Sequence, residues 1–202
     1  MTVTARRYWI FDLDGTLSVP QHDFAALRSE LGLPQGAPIL EAIAALPPER
    51  ATGLLAAVDA WEWRHADTAQ LAPGVGVLIS HLVAAGCRLG VLTRNRRDVA
   101  LRTLAVIGLA EVFADADVIG RDEAAAKPSP EGIAKLLGRW QGAPQDAVMV
   151  GDFRFDLEAG RAAGVATVLV DPKGRDPWPE VTDCRVATLA ELVTDAVAGE
   201  SS

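Results

Sequence analysis

The stretch "RRYWIFDLDGTLS", residues 6–18, runs four bulky apolar residues straight into two acids. Tyr8, Trp9, Ile10 and Phe11 have the composition of a core strand. The run stops at Asp12, and Asp14 follows with only Leu13 between them. Two carboxylates so close at a strand end repel each other, so the position requires a cation that offsets their charge. Gly15 comes next and allows the chain to turn sharply at that point.

The rest of the chain supplies the frame for this strand. After Ala72, strand-like and helix-like segments alternate. Helical periodicity is expected in "GVGVLISHLVAAG", "RDVALRTLAVIG", "SPEGIAKLLGRWQ" and "FDLEAGRAAG", and in a last helix from Thr188. Strands are expected at "CRLGVLT", "ADVIG", "DAVMVG", "ATVLV" and "CRVA". Gly86, Gly108 and Gly164 fall where helices should end. This alternation predicts an α/β fold with a doubly wound parallel sheet.

Residues 18–72 break the alternation. They carry helical periodicity and no convincing strand, with Pro34, Pro38, Pro47 and Pro48 at the turns and "APG" at 72–74 as the close. The expected organisation is a Rossmann-like core formed by residues 1–17 and 73–202, with a small all-helical cap, 18–72, inserted after the first strand.

Composition narrows the partners. The chain has 202 residues, a net charge of -8 and 50% hydrophobic residues. An acidic chain offers no basic field to a polyanion, so nucleic acid is not expected as a partner. Cys87 and Cys184 lie far apart and read as buried or half-buried thiols of a reducing compartment. No apolar run approaches the ~20 residues of a membrane span. The first strand begins within about six residues, which leaves no room for a secretion signal. The cytoplasm is the expected location, and a monomer or weak homodimer the expected state.

In open α/β sheets, ligands bind beyond the carboxyl ends of the strands. "YWIF" leads to Asp12, "LGVL" to Thr93 and "VMVG" through to Asp152, while Lys127 lies in the loop after "DVIG". Asp156 follows Asp152 by four residues. Asp12, Asp14, Asp152 and Asp156 are therefore expected on one rim with a hydroxyl and a lysine. Crowded carboxylates suit a hard divalent ion, and Mg2+ leaves coordination positions for a substrate phosphate. A carboxylate there can attack phosphorus while its neighbour handles protons.

"DLDGTL", "LTRN", "KPSPEG" and "GDFRFD", in this order, resemble the four motifs of the haloacid dehalogenase superfamily of phosphohydrolases. The helical insertion after the first motif resembles the small cap of its phosphoglycolate-phosphatase-like members. The resemblance implies that Asp12 is the nucleophile and Asp14 the general acid/base. It also implies that Thr93 and Lys127 bind phosphate and that Lys127 secures Asp12. Asp12, Asp152, Asp156 and the carbonyl of Asp14 would support magnesium. Among further residues, Arg94 beside Thr93, His22 after the first motif, and Arg64 and His65 in "WEWRH" are candidate substrate contacts. Trp61 and Trp63 read as packing the cap, and Trp140 and Arg154 as structural.

The expected activity is magnesium-dependent hydrolysis of a small phosphorylated metabolite through an aspartyl-phosphate. A sugar phosphomutase shares the core, and a receiver-like phosphoacceptor module shares the phosphorylated aspartate. Asp14 argues against carbon–halogen cleavage, which the superfamily performs without that second acid. Residues 18–72 contain no lysine for Schiff-base chemistry.

Overall fold

The computed structural model describes residues 3–21 and 23–193. Six strands form one parallel sheet in the order β3-β2-β1-β4-β5-β6. They are β1 (Tyr8–Phe11), β2 (Arg88–Leu92), β3 (Val118–Ile119), β4 (Ala147–Gly151), β5 (Ala166–Val170) and β6 (Cys184–Val186). β1 is central and pairs with both β2 and β4, with Phe11 level with Val91 and Val150. The chain winds outward from β1 in one direction through β2 and β3, then returns to build β4, β5 and β6 on the other side. That reversal opens a crevice beyond the carboxyl ends of β1 and β4, the usual ligand position in such sheets.

Alternation along the strands divides the core into two layers. Trp9 and Phe11 face one side, where they pack with Leu78 and Leu82 of α4 (Val75–Ala84) and Leu104 of α5 (Arg97–Val106). Ile10 and Met149 face the other, against Ile133 and Leu136 of α6 (Glu131–Trp140) and Ala159 of α7 (Arg154–Ala163). Strands covered on both faces carry the continuous apolar runs that made them readable. Gly86, Gly108 and Gly164 follow α4, α5 and α7 with left-handed backbone, as expected of helix ends. Leu189 and Leu192 are buried in the first layer. The helix expected from Thr188 lies mostly outside the described residues. Cys87 and Cys184 are free and half-buried.

The insertion folds as α1 (Phe24–Glu30), α2 (Ile39–Ala44) and α3 (Pro48–Ala66). Asp23 caps α1 through its carboxylate, and prolines precede or open α2 and α3, where the missing N–H is harmless. These helices bury a cluster of their own: Leu27, Leu31, Leu33, Ile39, Ile43 and Val58. The chain enters and leaves the insertion side by side. Val19 donates to the Gln70 carbonyl at 2.9 Å, and Ala72 to that of Leu17 at 3.0 Å.

Leu136 is fully buried in the layer under α6. Leu136→Ala should therefore cost about 2–5 kcal/mol of stability, read as a lower urea midpoint with an unchanged slope.

Candidate active site

Three segments bring the rim together. Asp12 continues β1, its N–H bonded to the Val150 carbonyl at 2.9 Å, and Thr93 continues β2 with its N–H on Ile119 at 3.0 Å. Asp152 follows β4 and Asp156 lies in the first turn of α7. One carboxylate oxygen from each of Asp12, Asp152 and Asp156 lies within 4.8 Å of the others. Gly15, at φ 90°, makes this approach possible: a Cβ there would stand 2.2 Å from Asp152 Oδ2. Such a contact is closer than any carbon and oxygen tolerate, so glycine is required for space as well as for the turn.

Lys127 is buried among these acids. Its ammonium contacts Asp12 Oδ1 closely and lies 2.6 Å from Asp156 Oδ1. Burial works against the ammonium, but the two carboxylates outweigh it and hold its pKa above the ordinary lysine value. Burial likewise pushes the Asp12 carboxyl up to about 7; Lys127 pulls it down, and Asp156 and Asp14 push it further up. Asp152 is pushed up to about 8 by burial and then by Asp12 and Asp156. One lysine thus leaves the acid cluster short of positive charge.

Asp14 is oriented differently. Its Oδ2 accepts from Asn95 Nδ2 at 2.6 Å and its Oδ1 from Ser18 Oγ at 3.4 Å. Its side chain is therefore outside the three-carboxylate cluster. Thr93 Oγ1 accepts from the Asn95 backbone N–H at 3.1 Å. That bond uses a lone pair and leaves the hydroxyl hydrogen available for another acceptor. Asn95 was not singled out in the sequence, although its place two residues after Thr93 was a usable signal.

The other predicted contacts are distributed unevenly. Arg94 reaches the cavity wall, but its Nη1 donates to the Lys127 carbonyl at 2.6 Å and its Nη2 to both Glu41 oxygens at 2.6 and 2.7 Å. Its guanidinium also sits 5.0 Å from the Phe155 ring centroid. From α3, it is Val58, Trp61 and Glu62 that line the cavity; Arg64 and His65 are not among its lining residues. His65 Nδ1 instead meets the Trp61 carbonyl at 2.8 Å. His22 lies outside the described residues. Trp61 packs against the insertion core, whereas Trp63 is exposed. Trp140 stacks on Tyr8, and Arg154 pairs with Glu158 at 2.7 Å.

A second polar group ties the insertion to the sheet. Arg121, in the loop after β3, donates to Glu62 Oε1 and Oε2 at 2.7 and 2.8 Å and makes a close pair with Asp59. Both acids are on α3, one turn apart. Arg94–Glu41, Arg96–Asp59 and Arg102–Asp67 add more exposed links. Surface pairs of that kind contribute about 0–1 kcal/mol each. The Arg121 cluster, with both Arg121 and Glu62 at most a tenth exposed, is the consequential one.

Known proteins resemble this chain in sequence and in fold. A haloacid dehalogenase-like hydrolase family model matches residues 28–170, a span that contains Thr93, Lys127, Asp152 and Asp156. The chain belongs to the haloacid dehalogenase-like hydrolases. It is 32% identical over 187 residues to a haloacid dehalogenase-like hydrolase domain-containing protein of Arabidopsis thaliana, covering 85% of this chain and 74% of that one. It is 30% identical over 176 residues to pyrophosphatase PpaX of Halalkalibacterium halodurans, covering 80% and 81%. Among solved structures, CbbY from Rhodobacter sphaeroides in complex with phosphate superposes with a TM-score of 0.74 at 23% identity, covering 93% of this chain and 96% of that one. That last likeness concerns the fold. No helix among the described residues is long and apolar enough to cross a membrane.

Burial pushes the Glu62 carboxyl up to about 7, against the opposing pull of Arg121; Asp59 adds to the rise. Between its ordinary value of 4.5 and about 7, the folded protein therefore holds a proton that the unfolded chain has released. Stability should fall as pH rises through that window and level off above it. Glu62→Gln should remove this component of the slope, measured by urea unfolding from pH 4.5 to pH 8.

Proposed function

We propose that this hydrolase is a magnesium-dependent phosphatase that cleaves a small phosphate monoester through an aspartyl-phosphate on Asp12. The observation that carries the reading is the arrangement around Lys127. The lysine engages Asp12 through Oδ1, leaving Oδ2 to attack, while Asp14 is held separately by Asn95. Two neighbouring carboxylates with different partners can take different roles.

The acid cluster fits a hard divalent cation. The pKa of Asp152 is driven upward by burial and by its acidic neighbours. A mostly buried carboxylate in that state gains most from a cation placed among Asp12, Asp152 and Asp156. When bound, magnesium supplies a Lewis acid that takes up charge from phosphate oxygens and these carboxylates.

The chain's own residues do the rest. Lys127 uses two of its three hydrogens on Asp12 and Asp156, and the third can hold a phosphate oxygen. The Thr93 hydroxyl donates to another. Asp12 forms a bond to phosphorus as the bond to the leaving oxygen breaks, and the Asp14 carboxyl gives that oxygen its proton. Asp14, now ionised, takes a proton from water. The resulting hydroxide oxygen attacks phosphorus, and the bond to Asp12 breaks with release of phosphate. Positioning and charge stabilisation supply most of the acceleration in such transfers.

The helical insertion, residues 18–72, acts as a cap hinged near Ser18–Val19 and Ala72–Gly74. Closing it excludes water from the cavity. A phosphomutase would need a second hydroxyl to outcompete water for the Asp12 phosphoryl group, and no residue described here favours that acceptor. A receiver-like module would hold its phosphoryl group; the acid at Asp14 favours release.

Chelation should abolish phosphate release, and added magnesium should restore it. Full turnover by metal-free enzyme would contradict the proposal. Asp12→Asn should abolish both turnover and covalent labelling, because an amide is a poor nucleophile. Asp14→Asn should still transfer the phosphoryl group from a phenolic ester, whose leaving oxygen needs little protonation. It should then stall, and mass spectrometry should find one phosphoryl group on Asp12. Unimpaired turnover of Asp14→Asn with no adduct would refute this division of roles.

A further inference from the structure

We infer that Arg28 of α1 makes the cap selective for a phosphate monoester carrying a second anionic group, a carboxylate or another phosphate, at its far end. The inference rests on the phosphatase reading above and specifies its substrate class. Arg28 lines the same cavity, of about 520 Å³, as Asp12, Thr93, Lys127 and Asp152. Clefts of roughly 300–1,000 Å³ hold ligands well beyond the size of a bare phosphate. One cavity therefore joins a phosphate position in the core to a guanidinium in the cap.

The chain itself orients that guanidinium. Arg28 Nε donates to the Ala37 carbonyl at 2.7 Å, in the loop between α1 and α2. Gly36 and Pro38, on either side of Ala37, also line the cavity. An arginine side chain has five N–H donors, and this bond takes one of them. The four on Nη1 and Nη2 have neither an acceptor nor a carboxylate partner among the described residues. Two parallel N–H groups on a planar fork match the oxygens of a carboxylate or a phosphate. With Nε already anchored, little side-chain freedom is left to lose when an anion binds.

Charge argues in the same direction. The other cations lining the cavity are engaged: Lys127 by Asp12 and Asp156, and Arg94 by both oxygens of Glu41. Glu62, the cap acid in the cavity wall, gives both its oxygens to Arg121. Among the described residues, then, no acid of the cap neutralises Arg28, in a chain where Asp and Glu outnumber Lys and Arg by 27 to 19. Leu27, Pro38, Ile39 and Leu40 line the cavity with it. In an apolar wall a charge is screened less than in open water, so its attraction for an anion is stronger. Arg28 also lies in the last turn of α1, where a cation suits the helix end. That role alone would steady the helix without distinguishing one substrate from another.

The test uses matched pairs that differ at the far group, with the full chain and magnesium. They are 3-phosphoglycerate against glycerol 3-phosphate, 6-phosphogluconate against glucitol 6-phosphate, and fructose 1,6-bisphosphate against fructose 6-phosphate. In at least one pair, kcat/KM should be about tenfold or more higher for the member with the second anion, the scale of a charge-assisted hydrogen bond. The first two pairs report a carboxylate and the third a phosphate. Arg28→Gln should lower kcat/KM for the favoured member by about tenfold, mainly through KM, and leave its counterpart within about twofold. Arg28→Lys keeps the charge without the fork and should fall between, with circular dichroism checking that both variants fold. Calorimetric titration of the inactive Asp12→Asn protein with the favoured compound should show a similar loss of affinity when Arg28→Gln is added. Asp12-dependent turnover without preference in any pair, or an equal loss for both members in Arg28→Gln, would overturn the assignment of Arg28 and leave the phosphatase reading intact. Absence of Asp12-dependent phosphate release from all six compounds and from phenyl phosphate would overturn the phosphatase reading and the assignment with it.

Discussion

The buried ammonium of Lys127 is the interaction on which the site depends. A parallel sheet delivers the ends of β1 and β4 to one crevice, and both ends carry aspartates. Like charges a few ångströms apart at a mostly buried position cost on the order of 4 kcal/mol per pair at an effective dielectric near 20. Lys127 offsets part of that through Asp12 and Asp156. The remainder falls on Asp152, whose carboxyl is pushed furthest from its ordinary value. The stability cost and the proposed affinity for a cation thus have a single origin, which is the common position of functional sites with perturbed carboxyls.

Space matters as much as charge. Gly15 clears the approach of Asp152, and at Gly151 a Cβ would lie 2.3 Å from the Asp156 carboxyl. The acids can crowd because the backbone beside them has no side chains. This links the turn chemistry of the first motif to the electrostatics of the fourth, across a sheet interface.

The insertion is joined to the core by few covalent connections and several ionic ones. Its own apolar cluster is separate from the two layers of the sheet. Arg121 therefore carries weight beyond that of a surface pair, since losing it would leave Glu62 buried without its cation. The same helix, α3, presents Trp61 and Glu62 to the cavity, so attachment of the cap and the lining of the pocket are set by one rigid element.

Sequence alone determined the strands and helices of the described core and the identities of the rim residues. Strand and helix periodicity depends on neighbours within a turn or two, and the apolar runs of β1, β2, β4 and β5 are long enough to express it. The order Asp12, Thr93, Lys127, Asp152 could be placed at one rim because a parallel sheet aligns all its carboxyl ends. Tertiary structure decided the pairings. Lys127 and Asp12 are 115 positions apart, and Arg121 and Glu62 are 59 apart. No local pattern encodes such partners. It also decided which side of α3 faces the cavity. That helix carries apolar residues around most of its circumference, so Trp61 and Glu62 could not be separated from Arg64 and His65 until the helix was packed. Asn95 and Arg94 differ by one position in the same loop, yet one holds Asp14 and the other Glu41. The direction a loop side chain takes is set by what it meets across the crevice, and only the folded chain contains that information.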